Sequence, residues 1–346
     1  MPRCVLFMII LFAAPAFAQP LAPNAAPPSP EMPPAQILAQ FHHDEINLLA
    51  LRGDAYPLLA AALMAQADAD DPARPKALQT PALLARAQKA DDADALAWWV
   101  SVALDCRGKA KTCPREETLA QLEKADPANA GVWLWALSRA QETGDTTAAR
   151  AALTSAAQAA RFDDYFGTLT SVLYQATGIL PVEENILRAS NQPGVSPAGF
   201  RLTYAAVLAA AITPVSIAPL EKACNEASSK ADLADDCVAV AQKLADSGSL
   251  IARRGGSEML MRLASPGAAH DAAVAQARTL AWRMQHIGEL GVRLANDSRV
   301  TGVYTQALGS SGREIDAVDA VLRLQGIALE PPADWQPPAP NAAPQP

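Results

Sequence analysis

Between about residue 36 and residue 330, apolar side chains recur at helical spacing in stretches rich in Ala, Leu, Arg, Gln and Glu. Such spacing gives a helix one apolar face, and these residue types are good helix formers. Gly, Pro, Asp and Asn cut the stretches into single-helix lengths. No segment alternates apolar and polar positions as a half-buried strand does. The pattern therefore predicts an all-α fold. A first helix pair is expected at Ile37 to Leu51 and Tyr56 to Ala67, joined at Arg52-Gly53-Asp54, where glycine stops one helix and aspartate caps the next. Further helices are expected near 198–212, 216–228, 232–246, 249–264, 268–294 and 313–327.

A longer period is superimposed on the first half. Lys89-Ala90-Asp91-Asp92-Ala93-Asp94-Ala95 recurs 35 residues later as Lys124-Ala125-Asp126-Pro127-Ala128-Asn129-Ala130, and a tryptophan follows each in the same register, Trp98 and Trp133. Ala160-Arg161-Phe162-Asp163-Asp164 occupies the equivalent place one period further on. A fixed period of this length marks stacked helix pairs, each unable to bury its apolar face alone. Trp98 and Trp133 have Val102 and Leu137 four positions on, so both rings are expected to face the adjacent helix.

The unit from Asn129 to Arg161 resembles a tetratricopeptide repeat. Trp133 matches the first-helix aromatic, Gly144-Asp145 the turn, and Ala149, Leu153 and Ala156 the packing positions of the second helix. Asp126-Pro127 matches the turn between repeats. Ala136, Leu137 and Ala140 depart from the family's leucine, glycine and tyrosine, and Cys106 and Cys113 stand where the preceding unit's Gly-Asp turn belongs. The resemblance, to secreted or periplasmic tetratricopeptide-repeat-like proteins of Gram-negative bacteria, implies an α-solenoid of antiparallel helix pairs over residues 36–180. An irregular helical region is expected over 181–330, either continuing the solenoid, which is the favoured reading, or forming a small helical bundle. Most such solenoids present a concave surface to a protein or peptide partner.

The ends differ from this body. Met1-Pro2-Arg3, an apolar run from Val5 to Ala14 and Ala16-Phe17-Ala18 have the order of a secretory signal peptide over residues 1–18. The run is short of the roughly 20 apolar residues of a membrane span, so no integral segment is expected once it is cleaved. Pro- and Ala-rich residues 19–35 and 331–346 read as a flexible leader and tail. Export changes the reading of the cysteines. Cys4 leaves with the peptide, and the other four form two local pairs, Cys106 with Cys113 and Cys224 with Cys237, expected as disulfides in an oxidising compartment. Loop entropy gives such clips about 2.5 and about 3 kcal/mol. A net charge of −8, its acid excess concentrated in residues 1–200, disfavours nucleic acid and anionic lipid as partners.

Candidate chemistry is sparse. In His42-His43-Asp44-Glu45 the adjacent histidines diverge by about 100° on a helix, which suits a solvated face better than a metal site. Asp68, Asp70 and Asp71, and again Asp91, Asp92 and Asp94, begin like calcium loops but lack the later glycine and glutamate, and read as turns that cap the next helix. Leu308-Gly309-Ser310-Ser311-Gly312 lacks the lysine of a phosphate loop and reads as a helix break. Arg253 and Arg254, with Arg262, Arg278 and Arg283 beyond them, form either a small anion site or surface ion pairs with residues such as Glu258 and Glu289. His270 and His286 stand alone on their helices. No cofactor, metal or catalytic set is expected. The functional expectation is an envelope protein that binds a protein or peptide, with an envelope enzyme on a helical scaffold or a structural subunit as alternatives.

Overall fold

The computed structural model describes residues 32–68, 74–106, 113–192, 194–212, 217–227 and 231–337. The signal-peptide residues, most of the leader, Asp70, Asp71 and the end of the tail lie outside them. Among the described residues the chain is all-helical, with no strand beyond a single bridge between Asn129 and Arg161.

The N-terminal half holds α1 (Pro34–Ala50), α2 (Ala55–Ala67), α3 (Thr80–Ala87), α4 (Ala95–Asp105), α5 (Glu116–Ala125), α6 (Ala130–Thr143), α7 (Thr146–Gln158) and α8 (Phe166–Ala176). Polar side chains start several of these by satisfying free N–H groups of the first turn. Asp94 accepts from Leu96 N, Asn129 from Gly131 N and Asp145 from Ala148 N. Gly144, at φ +73°, ends α6 in the left-handed conformation that costs glycine least, so two adjacent residues close one helix and open the next. Helix α2 lacks a polar face and is buried on every side from Leu58 to Ala65, against α1, α3, α8 and α10.

The second half holds α9 (Glu184–Ala189), α10 (Pro197–Ala210), α11 (Ala218–Ala227), α12 (Ala231–Ala245), α13 (Leu250–Leu263), α14 (Ala268–Glu289), α15 (Gly291–Asn296), α16 (Ser298–Ser311) and α17 (Glu314–Leu324). Two sequence expectations are corrected here. The helix expected over 268–294 is broken at Leu290, beside two glycines that favour helix poorly. Helix α16 occupies a stretch for which no helix was expected and runs through 308–311, so that the chain breaks only at Gly312, φ +68°. Its buried Val300, Tyr304 and Leu308 recur every four residues between an Asp297 cap and that glycine.

Packing is not confined to chain neighbours. Helices α4 to α7 lie in a row, α4 on α5, α5 on α6 and α6 on α7. Helix α8 then leaves the row to pack on α2, α10 and α16, while α11 packs against α6 and α12 against α7. From α12 the contacts pass through α13, α14, α17 and α16 to α8, then to α2 and back to α4, a closed circuit. One core underlies α1 to α8 and α10 to α14, and a second lies among α10 and α13 to α17.

Both cysteine pairs stand at disulfide-bonding distance, with Cα atoms 4.9 Å apart for Cys106 and Cys113 and 5.7 Å for Cys224 and Cys237. The first joins the end of α4 to the approach to α5. The second joins α11 to α12 with both cysteines buried. Among the described residues no helix is long and apolar enough to cross a membrane.

Candidate functional site

The helix hairpin α6–α7 is flanked by two grooves. The first, about 530 Å³, runs over α5, α6 and α7 between Glu116, Leu119, Glu123, Trp133, Arg139 and Ser155. Its floor is made of Ala136, Ala140, Ala148, Ala151 and Ala152, whose single methyl groups leave open volume between the helices. Half-buried Trp133 donates its indole N–H to Pro127 O at 2.9 Å, which fixes one edge of the ring at the groove wall. Arg139 donates to Pro114 O and, at 3.3 Å, to Glu116. Burial pushes the Glu123 carboxyl up. The second groove, about 550 Å³, lies between α6–α7 and α11–α12 and is lined by Gln141, Thr147, Lys222 and Leu233 among others. There Gln141 donates to Pro219 O at 2.8 Å.

A second concentration of polar groups lies where the α7–α8, α12–α13 and α16–α17 connections meet around a cavity of about 190 Å³ lined by Asp163, Asp164, Lys243, Asp246, Ser249 and Arg313. Burial pushes Asp164 up to about 6, with the charge of Asp163 adding to the rise, and Glu314 up to about 7, with the charge of Asp164 adding to it. Asp164 accepts from Phe166 N at 3.1 Å and from the Ser249 side chain, and Glu314 accepts from Leu250 N at 2.9 Å. Asp163 accepts from Tyr165 N at 2.8 Å. These bonds hold the starts of α8 and α13, so the junction ties three connections together. Lys243 donates to Ala157 O at 2.7 Å. The connections touch: a Cβ on Gly167 would stand 2.1 Å from Gly312 O.

Sequence reasoning placed Asp126 in a turn and missed its partners. Arg161 donates to both its oxygens at 2.8 and 3.0 Å, and the Tyr165 hydroxyl donates at 2.6 Å. Asn129 binds the backbone of Asp163 through both ends of its amide, each at 2.9 Å. These bonds stitch the connection after α7 to the one before α6. The available signal was the repeat itself, because Asp126 and Arg161 are one period apart.

The solvated-face reading of residues 42–45 holds at exposed His43 and is corrected at Glu45 and His42. Glu45 is 0 % exposed, and the fold places it beside His42 at 3.4 Å, within the field of Arg201. Burial raises the Glu45 carboxyl. The ring of His42 lies 4.5 Å from that of Tyr204 on α10. The helix that covers this face comes from about 160 residues further along, which no local pattern announces.

Two further indoles join the repeat tryptophans in the core. Trp98 and Trp133 are half-buried against the core, whereas Trp99 is 0 % and Trp135 7 % exposed. Trp99 packs between Trp135 and Tyr165, with centroids at 6.1 and 5.1 Å. Ala149 is half-buried, and Leu153 and Ala156 are buried.

Each of the arginines has a protein acceptor. Arg253 turns back to Ser247 O and Asp246 O, Arg254 pairs with Glu258 at 2.9 Å and Arg262 with Glu221 at 2.9 Å. Arg283 pairs with Asp319 and Glu330. Arg253, Arg254 and Arg262 are thus not brought together on one site. Glu289 pairs with His286 at 2.9 Å, and His270 lies 3.5 Å from Asp271. Of the acidic turns, Asp94 caps its own helix, Asp92 instead accepts from Ala55 N at 2.8 Å, and Asp68 pairs with buried Arg74 at 3.0 Å. Among the described residues no group of three or more His, Cys, Asp or Glu side chains could hold a metal ion.

Against this geometry, no protein-family model, no curated protein and no solved structure matches the chain.

Proposed function

We propose that this is an exported helical-repeat protein of the cell envelope that binds a segment of a protein or peptide in the groove over α5, α6 and α7. The observation that carries the reading is that groove itself, about 530 Å³, with the edge of Trp133 held at its wall and an alanine floor beneath. An aromatic anchor beside a polar rim is the arrangement by which peptide-binding surfaces gain both affinity and register. Glu116, Glu123 and Asp145 outnumber Arg139 along it, so the favoured segment is apolar and basic. The tetratricopeptide-like unit, with Gly144 and Asp145 at its turn, supports a stack of hairpins in which α11–α12 follow α6–α7. Residues 1–18 and the two close cysteine pairs support an oxidising, extracytoplasmic location.

The test is crosslinked affinity capture from periplasm with the mature chain and with Trp133→Ala. A partner recovered by the former and depleted at least about tenfold with the latter is expected, corresponding to a loss of about 1.4 kcal/mol. Equal recovery by both, or turnover of an envelope substrate without any captured partner, overturns the reading.

A further inference from the structure

Beyond α17 the chain turns at Gly326, and residues 327–337 run back across α14. Ile327 and Leu329 rest on the second core, but Pro332, Ala333, Asp334, Gln336 and Pro337 are exposed. What holds this strap is one face of one helix. Trp282 donates its indole N–H to Ala328 O at 2.7 Å, and Arg283 donates to Leu329 O at 3.1 Å. Glu330 accepts from Thr279 at 2.7 Å and from Arg283 at 3.3 Å. The strap then folds a turn in which Trp335 N donates to Pro332 O at 3.1 Å. The Arg278 guanidinium caps that turn, donating to the carbonyls of Pro332, Ala333 and Trp335. It also lies 5.7 Å from the centroid of the Trp335 ring, which Trp282 meets edge-on at 5.4 Å. His286 meets Trp282 edge-on, with ring centroids 4.0 Å apart.

Arg278, Trp282 and His286 are four residues apart on one face, with Thr279 and Arg283 in the neighbouring row. Arg278, Trp282 and Arg283 donate to the strap carbonyls of Ala328, Leu329, Pro332, Ala333 and Trp335, and Pro331 and Pro332 bring no N–H of their own to the segment. Aromatic rings combined with carbonyl-directed donors are the chemistry by which proline-containing segments are recognised. The remaining contacts select an acid two positions before the turn and an aromatic at its end. Because most of the strap buries little apolar surface, another segment of the same chemistry can replace it.

We propose that α14 carries a binding site for acid-Pro-Pro-x-x-Trp turn segments, and that this chain fills the site with its own residues 328–337. A segment from another protein then gains access by displacing the strap. The site is separate from the groove over α5 to α7 and does not depend on its function.

The probe is a fluorescently labelled peptide of residues 328–337, titrated by anisotropy into three full-length chains. Trp335→Ala loosens the strap and is expected to bind the peptide at least about tenfold more tightly than wild type, whose tethered strap competes at high effective concentration. Adding Arg278→Ala to Trp335→Ala is expected to abolish binding, with circular dichroism verifying that both variants are folded. Equal binding by wild type and Trp335→Ala, absence of binding to Trp335→Ala, or binding that survives Arg278→Ala overturns the proposal. A second measurement needs no substitution. In the ¹⁵N-labelled wild-type chain, unlabelled peptide at millimolar concentration is expected to move the Trp335 indole signal to its solvent-exposed position. A signal that stays in place also overturns it.

Discussion

Asp126 ends α5 and collects a guanidinium and a hydroxyl from residues 35 and 39 positions further on. Its carboxylate is nearly buried, so each donor replaces water that the group has lost. Tyr165→Phe deletes one charge-assisted hydrogen bond with little change of shape, and is expected to cost about 1.5 kcal/mol in urea unfolding. A loss within measurement error would show that Arg161 alone satisfies Asp126. Asp164 and Glu314 make the opposite kind of contribution. Their folded-state values, about 6 and about 7, lie above the ordinary carboxylate range, so the folded chain holds more protons than the unfolded chain between about pH 4 and 7. Their part of the stability is largest below pH 4, falls as the pH rises through that window and is level above it. Glu314→Gln is expected to flatten the decline between pH 5 and 7 in thermal melts. An unchanged slope would place the titration elsewhere.

Among the elements, α4 shows what periodicity can and cannot say. The tryptophan register identified the helix and its repeat, but of two adjacent indoles it selected the one at the margin. Trp99 faces the core because Trp135 and Tyr165, from two later elements, close around it. Trp99→Ala is expected to cost about 4 kcal/mol through the cavity it leaves, and Trp98→Ala less than half as much. Equal losses in denaturant titration would contradict this assignment. Helix α16 makes the converse point, since its caps and four-residue apolar spacing were present in the sequence but were obscured by the Gly-Ser run at its end. In the α6–α7 hairpin, Gly144 needs its positive φ while its surroundings are open, so Gly144→Ala is expected to cost only about 1 kcal/mol. A loss several times larger would mean that the turn bears on more than its own conformation.

At the scale of the whole molecule, the circuit of packed helices has a consequence for unfolding. A row in which each repeat touches only its neighbours can fray from its ends, unit by unit. Here α8 touches α2 and α16, and α12 touches α7, so loosening one part exposes the apolar surface of distant ones. A single cooperative transition is expected, with tryptophan fluorescence and circular dichroism coinciding in urea. Separated midpoints would show that the two cores unfold independently.

The sequence by itself determined the all-helical fold, the Gly144-Asp145 turn and the two cysteine pairs, because each rests on local chemistry: helical spacing, capping groups and short loops. It also marked Trp133 as a distinctive residue of the repeat. Tertiary structure alone decided that Glu45 is buried, that three connections meet at Asp164 and Glu314, that the arginines of α13 are paired separately, and that the tail straps α14. These depend on which distant helix covers which face. Hydrophobic burial drives that choice but is non-directional, so the residues on any one helix do not name the helix that will cover it.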